Sequence, residues 1–259
     1  MRKTLAALSV VSVLFLAGCF EIEQSLNLKK DMSGTADFHL GVDLEPMVVV
    51  MAQFGKEMEG KSGPLTAAEL AKAKADFKKS SKTSSSGKEP SREDIQKELP
   101  DGVTLIDYGV KEKEFGMASD FKFGFDKLSS LVNVKLPSKK GGQDPTSKNV
   151  IDSPFQGLEV SEKGDTITIR TKPQNPAETV KEQAADAPKL DPATEKLVRD
   201  AFSKMKVAYR ITAPFEIVSH NATRREGNTL IWEYNLESFE AMAKAKKLDD
   251  TQVRVTYKR

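Results

Sequence analysis

The sequence predicts an α+β fold, a largely antiparallel β-sheet with several amphipathic helices packed on it. Runs of strict apolar and polar alternation come in pairs joined by Gly-containing turns, the pattern of β-hairpins with one buried face. Between these pairs lie segments with apolar residues at helical spacing, and they interrupt the hairpins instead of alternating with strands one for one. The 259 residues also contain a single Cys, so the fold must rest on buried apolar surface without an internal disulfide.

The N-terminus reads as an export signal over residues 1–18. Arg2 and Lys3 precede an apolar run over residues 5–16, and small residues follow it. The apolar stretch 5–17 is about 20 Å long as a helix, too short for a bilayer core of roughly 30 Å. Leu16-Ala17-Gly18-Cys19 resembles the lipobox of bacterial lipoproteins. In that family the chain is cut before the Cys, here between Gly18 and Cys19, and the Cys is acylated. Lipidation gives the lone thiol of Cys19 a purpose, since a secreted protein with one unpaired Cys is unusual. Acyl chains contribute about 0.8 kcal/mol per buried CH2, enough in combination for a durable anchor. Asp at the second mature position tends to hold lipoproteins of enteric bacteria at the inner membrane. Phe20 stands there in this chain, which by that resemblance implies the outer membrane, facing the periplasm, in a diderm cell.

The remaining chain, 19–259, is expected to be one α+β domain. Phe20, Ile22, Leu26 and Leu28 share a face, and Ala36, Phe38, Leu40, Val42 and Leu44 answer them across a turn at 29–34. Pro46 suits a first helical turn, and Met47, Val50, Met51, Phe54 and Met58 follow at helical spacing. Thr66-Ala67-Ala68-Glu69 is a capping box opening a helix with Leu70 and Phe77. A short helix is expected over 91–99, then a Pro100-Asp101-Gly102 turn and strands at 103–108 and 117–125, the second with Phe121, Phe123 and Phe125 on one face. Leu128, Leu131 and Val132 suit a short helix. A hairpin surrounds Lys163-Gly164-Asp165. Asp191-Pro192 opens a helix with Leu197, Val198, Phe202 and Met205. Strands follow at 207–211, 215–218 and 229–234, with Glu226-Gly227-Asn228 joining the last two. Leu236, Phe239 and Met242 fit a short helix, and a strand at 252–258 turns Val253, Val255 and Tyr257 inward. Polar stretches rich in Lys, Ser, Gly or Pro read as flexible insertions near 78–91, 137–154 and 172–190. A division into two domains near 173–190 is the alternative.

Composition excludes several functions. The formal charge of +2 comes from the signal, because without Arg2 and Lys3 the basic residues equal the 38 acidic ones. No whole-protein field draws nucleic acid to such a chain. His39 and His220 are far apart and have no Cys partner, so no metal site is expected. No P-loop, Gly-x-Gly-x-x-Gly or Gly-x-Ser-x-Gly motif occurs, and neither catalytic residues nor a cofactor are assigned. Lys139-Lys140-Gly141-Gly142 reads as a solvated loop, and Asp249-Asp250, two adjacent carboxylates without further spaced oxygens, as a turn or helix end instead of a cation site. Arg224 and Arg225 read as a solvated turn or as a contact for a phosphate head group. The aromatic stripe of Phe121, Phe123 and Phe125, with Trp232 and Tyr234, is either sheet core or the lining of an apolar groove. In the groove reading Met51, Phe54, Phe121, Phe123 and Trp232 line a site for an acyl chain.

Three segments together resemble the LppM-type bacterial lipoproteins. They are Cys19-Phe20-Glu21-Ile22-Glu23 with Asp31-Met32-Ser33-Gly34; Leu99-Pro100-Asp101-Gly102-Val103 with Phe123-Gly124-Phe125; and Ile211-Thr212-Ala213-Pro214 with Ser219-His220-Asn221-Ala222 and Asn228-Thr229-Leu230-Ile231-Trp232. The resemblance implies a lipid-anchored α+β domain, with envelope glycolipid binding proposed for some members and no established catalytic residues. Mycobacterial relatives carry a C-terminal membrane helix, whereas this sequence ends at Arg259 in an expected strand. The expectation is therefore a non-enzymatic, lipid-anchored envelope protein that binds a lipid, glycolipid or other amphipathic ligand. The alternatives are an interaction module with an envelope protein partner and, third, an envelope hydrolase built on Asp and Glu.

Overall fold

The computed structural model describes residues 19–84, 91–136, 154–171, 192–245 and 251–259. In chain order these form β1 (Cys19–Leu28), β2 (Gly34–Asp43), α1 (Glu45–Met58), α2 (Ala67–Ser84), α3 (Arg92–Glu98), β3 (Val103–Lys113) and β4 (Gly116–Phe125). A 3₁₀ turn (Leu128–Asn133), β5 (Leu158–Lys163), β6 (Thr166–Thr171), α4 (Pro192–Phe202), β7 (Lys206–Thr212) and β8 (Glu216–His220) follow. The chain closes with β9 (Arg224–Glu226), β10 (Thr229–Asn235), α5 (Leu236–Ala245) and β11 (Arg254–Lys258). The fold is α+β.

The strands lie in two sheets where the sequence predicts one. A seven-stranded sheet has the order β3-β4-β2-β1-β7-β10-β9, and a four-stranded sheet the order β5-β6-β11-β8. Every pairing is antiparallel except β1 with β7. One hydrophobic cluster joins them. Phe38, Phe123, Leu230 and Trp232 come from the larger sheet, and Ile167, Ile169, Val255 and Tyr257 from the smaller. The pairing also crosses the segment 172–191, since β6 precedes it and joins β11, and β1 precedes it and joins β7.

Local chemistry explains the elements. The β1–β2 turn carries Met32 at φ 66, with Asp31 Oδ1 accepting from the Ser33 amide at 3.0 Å. At Gly34 a Cβ would lie 2.0 Å from the Asn27 carbonyl oxygen, so only Gly permits this close pairing. Thr66 and Glu69 close the expected capping box on α2, and Ser91 with Asp94 closes another on α3. The exposed edge of β3 is covered by α3. The Gln96 amide bonds both Leu105 N and Val103 O, and the Arg92 guanidinium donates to Leu105 O and Ile106 O beside a bulge.

Four expectations are corrected. The stretch 78–84 continues α2, because Lys is a good helix former and no Gly or Pro intervenes before Gly87. Ser91 is the N-cap of α3, the helix expected over 91–99, and so falls outside the insertion expected near 78–91. The turn at 226–228 joins β10 to β9, a three-residue strand hidden from sequence by its charge, while β8 belongs to the other sheet. Met58 is 64% exposed and lies off the packed face of α1. Most of the expected insertion at 137–154, all of that at 172–190 and the pair Asp249-Asp250 lie outside the described residues.

Candidate functional site, the open face of the larger sheet

The two faces of the seven-stranded sheet differ in kind. Alternation turns Leu26, Phe38, Phe121, Phe123, Ile211 and Trp232 toward the four-stranded sheet. The same alternation turns charged side chains the other way. Register fixes their order: Glu23 lies opposite His39, which lies opposite Asp120, and Glu23 also lies beside Ala208, which lies beside Glu233.

These side chains form a ladder of alternating charge across the strands. Lys122 Nζ is 3.5 Å from Asp37, and His39 Nδ1 is 2.6 Å from Asp120 Oδ1. His39 Nε2 is 3.9 Å from Glu21, which lies 3.2 Å from Lys206 Nζ. Lys206 also pairs with Glu23, and Arg210 Nη1 donates to Glu23 Oε2 at 2.8 Å. Glu233 then stands between Arg210 at 3.7 Å and Arg224 at 3.4 Å, and Arg224 pairs with Glu226. Beneath this ladder the sheet carries the buried residues Gly41, Ala118, Ala208 and Ile231. Long ion-paired stems cover such positions without closing the face to water.

Burial pulls the Glu23 carboxyl upward, but the hydrogen bonds and charges of Lys206 and Arg210 outweigh it and hold it at about 2. The Lys206 ammonium is raised above its ordinary value, chiefly by the hydrogen bond to Glu23. Next to Glu23 the face is concave. A depression of about 310 Å³ is lined by Glu23, Ser25, Asp37, His39, Asp107, Asp120 and Lys122, together with Phe38 and Phe121. Carboxylates outnumber cations there. Among the described residues no group of three His, Cys, Asp or Glu side chains is arranged to hold a metal ion. Its lining presents charged and hydrogen-bonding side chains.

No protein-family model matches the chain, and no curated protein matches it. Among solved structures, the NMR structure of the folded domain of LppM from Mycobacterium tuberculosis is similar at a TM-score of 0.41 and 8% sequence identity. The match covers 93% of this chain and 89% of that one.

The five groove residues are not brought together. Phe121, Phe123 and Trp232 belong to the core between the sheets, with Phe123 and Trp232 at 0% exposure. Phe123 meets the Phe155 ring edge-on at a centroid distance of 6.2 Å. Phe54 packs in a separate cluster with Val50, Leu197, Val198 and Ala201, and Met51 is half-buried on the same helix. The aromatic stripe fills space because both sheets contribute side chains to it. A cavity of about 20 Å³ remains near Gln24, Phe155 and Tyr209, room for about one water and no acyl chain. Arg224 is engaged by two carboxylates, and Arg225 Nε donates to Gly227 O at 2.8 Å. Gly18 lies outside the described residues, and the Cys19 backbone opens β1.

The period-two alternation of the sequence puts Glu21, Glu23 and Ser25, and likewise Asp37 and His39, on the faces of their strands opposite the apolar residues. Alternation alone does not join the two sets to Lys206, Arg210 and Glu233. The missing signal is the β1–β7 pairing, which spans most of the chain.

Proposed function

We propose that this chain is a lipid-anchored envelope protein, without catalytic activity, whose open charged sheet face binds the basic segment of an envelope protein partner. The observation behind this reading is the contrast between the two faces. One is closed by the core, while the other remains charged, concave and accessible around Asp37, Asp107 and Asp120. Leu16-Ala17-Gly18-Cys19 supplies the anchor. A closed interior disfavours an acyl-chain groove at the aromatic stripe and leaves the surface as the recognition element.

The test places a photo-cross-linking amino acid at Asp107 in the membrane-anchored protein in its host cell. One protein adduct is expected, and Asp37→Lys is expected to abolish it while leaving the circular dichroism spectrum unchanged. An adduct indifferent to Asp37→Lys, or a scatter of unrelated adducts, overturns the reading. Adducts to lipid alone also overturn it, in favour of an amphipathic ligand.

A further inference from the structure

We infer that the end of the seven-stranded sheet bearing α1, α2 and α4 faces the bilayer, with the opposite end turned away. This inference rests on acylation of Cys19. β1 is the central strand of the larger sheet, and its first residue, Cys19, is already paired with Asp43. No spacer separates the anchor from the paired strand, so the bilayer must meet whatever surrounds that strand end.

The topology names those surroundings. β2, on one side of β1, ends at Asp43 and leads directly into α1. β7, on the other side, begins at Lys206 opposite Glu21 and is entered from α4. The β3–β4 turn also lies at this end, since Gly116 pairs with Asp43. α2 packs on that turn through Phe77 and Phe115, whose ring centroids are 6.2 Å apart, and Lys78 pairs with Glu114. α1 and α4 run antiparallel, with Val50 in a cluster with Ala201 and with Thr194 Oγ1 donating to Glu57 Oε1 at 2.8 Å.

The helices at this end carry an incomplete apolar cover. Met51, Phe54, Leu70, Phe77, Leu197, Val198 and Phe202 are all only half-buried, and Met58 is exposed. The sheet core, by contrast, closes almost completely. Half-covered apolar side chains among exposed lysines such as Lys61, Lys72, Lys113 and Lys204 suit the headgroup boundary of an anionic bilayer. The far end carries the turns around Lys30, Asp101 and Gly227. At about 3.3 Å per strand residue, the ten residues of β1 hold that end about 30 Å from the anchor.

Because Cys19 is the only Cys and is blocked when acylated, single introduced Cys residues can be labelled selectively. The lipidated protein is reconstituted in phosphatidylethanolamine–phosphatidylglycerol vesicles that carry a headgroup-attached nitroxide quencher. Fluorophores at Met58→Cys, Lys113→Cys and Lys204→Cys are expected to be quenched, and those at Lys30→Cys and Asp101→Cys spared. Equal quenching at both ends, stronger quenching at the far end, or no quenching at any position overturns the orientation. The mass of the N-terminal peptide of the same samples separates the two readings. An acylated Cys19 with the wrong quenching pattern removes the orientation alone, whereas an unmodified Cys19 removes the anchor and the orientation with it.

Discussion

Glu23 shows how one residue links the register of three strands. It stands on β1 opposite His39 of β2 and is ion-paired to Lys206 and Arg210 of β7. Its carboxyl is held at about 2 in the folded protein, below the 4.5 of an unperturbed Glu. Its contribution to stability is therefore complete above about pH 4.5 and fades as the pH falls toward 2. Lys206 and Arg210 remain 40% and 32% exposed, so solvent screens the cluster and its worth is modest. Glu23→Gln is expected to cost about 1–2 kcal/mol near neutral pH, measured by urea unfolding. The gap between variant and parent should shrink as the pH is lowered below 4, and a gap independent of pH would contradict the assignment.

Tyr257 is the opposite case. Its ring sits in the core against Phe215, yet its hydroxyl is buried without a hydrogen-bond partner among the described residues, and burial pushes its phenol upward. Tyr257→Phe keeps the ring and removes the stranded hydroxyl. It is expected to leave the melting temperature unchanged or raise it, by up to about 1 kcal/mol of stability. A clear loss of stability would show that the hydroxyl is satisfied.

At the scale of elements, the two sheets are fastened by Asn221, just after β8. Its Oδ1 accepts from Trp232 Nε1 of β10 at 2.8 Å and from Arg254 N of β11 at 2.9 Å, while its Nδ2 donates to Gln252 O at 2.6 Å. One side chain therefore satisfies a buried indole of the larger sheet and the entry to a strand of the smaller. Asn221→Ala strands these groups and is expected to cost about 2–3 kcal/mol, with a red-shifted Trp232 emission as water reaches the indole. A silent substitution would place the fastening elsewhere. Asn221 falls in a segment that reads as a loop, because its partners lie 11 to 33 residues away. Hairpins and capped helices were legible for the converse reason. The alternation at 35–43 and the Thr66-Ala67-Ala68-Glu69 cap involve neighbours in sequence, so their physics is local.

At the scale of the whole molecule, the same seven-stranded sheet provides a closed apolar face, an open charged face and an end marked by Cys19. Cys19→Ser is expected to yield a protein that is unprocessed or that leaves the membrane fraction, while the folded domain retains its circular dichroism spectrum. Unchanged membrane fractionation of that variant would remove lipidation from the account. The candidate site was only partly legible. The polar alternation of β1 and β2 marks Glu23, Asp37 and His39 as surface, but the cations that neutralise Glu23 arrive more than 180 residues later, through the parallel pairing of β1 with β7.

The sequence by itself determined the alternation of the strands, the helix starts, the lone Cys and the lipobox-like segment, because each depends on residues a few positions apart. Only the tertiary structure decided that the strands divide between two sheets and that Phe121, Phe123 and Trp232 are core while Phe54 packs with α4. Only the tertiary structure likewise brought Glu21, Glu23, Lys206 and Arg210 together. An aromatic stripe has the same spacing whether it lines a groove or fills a core. The difference lies in what packs against it, and here that partner is a second sheet assembled from strands distant in the chain.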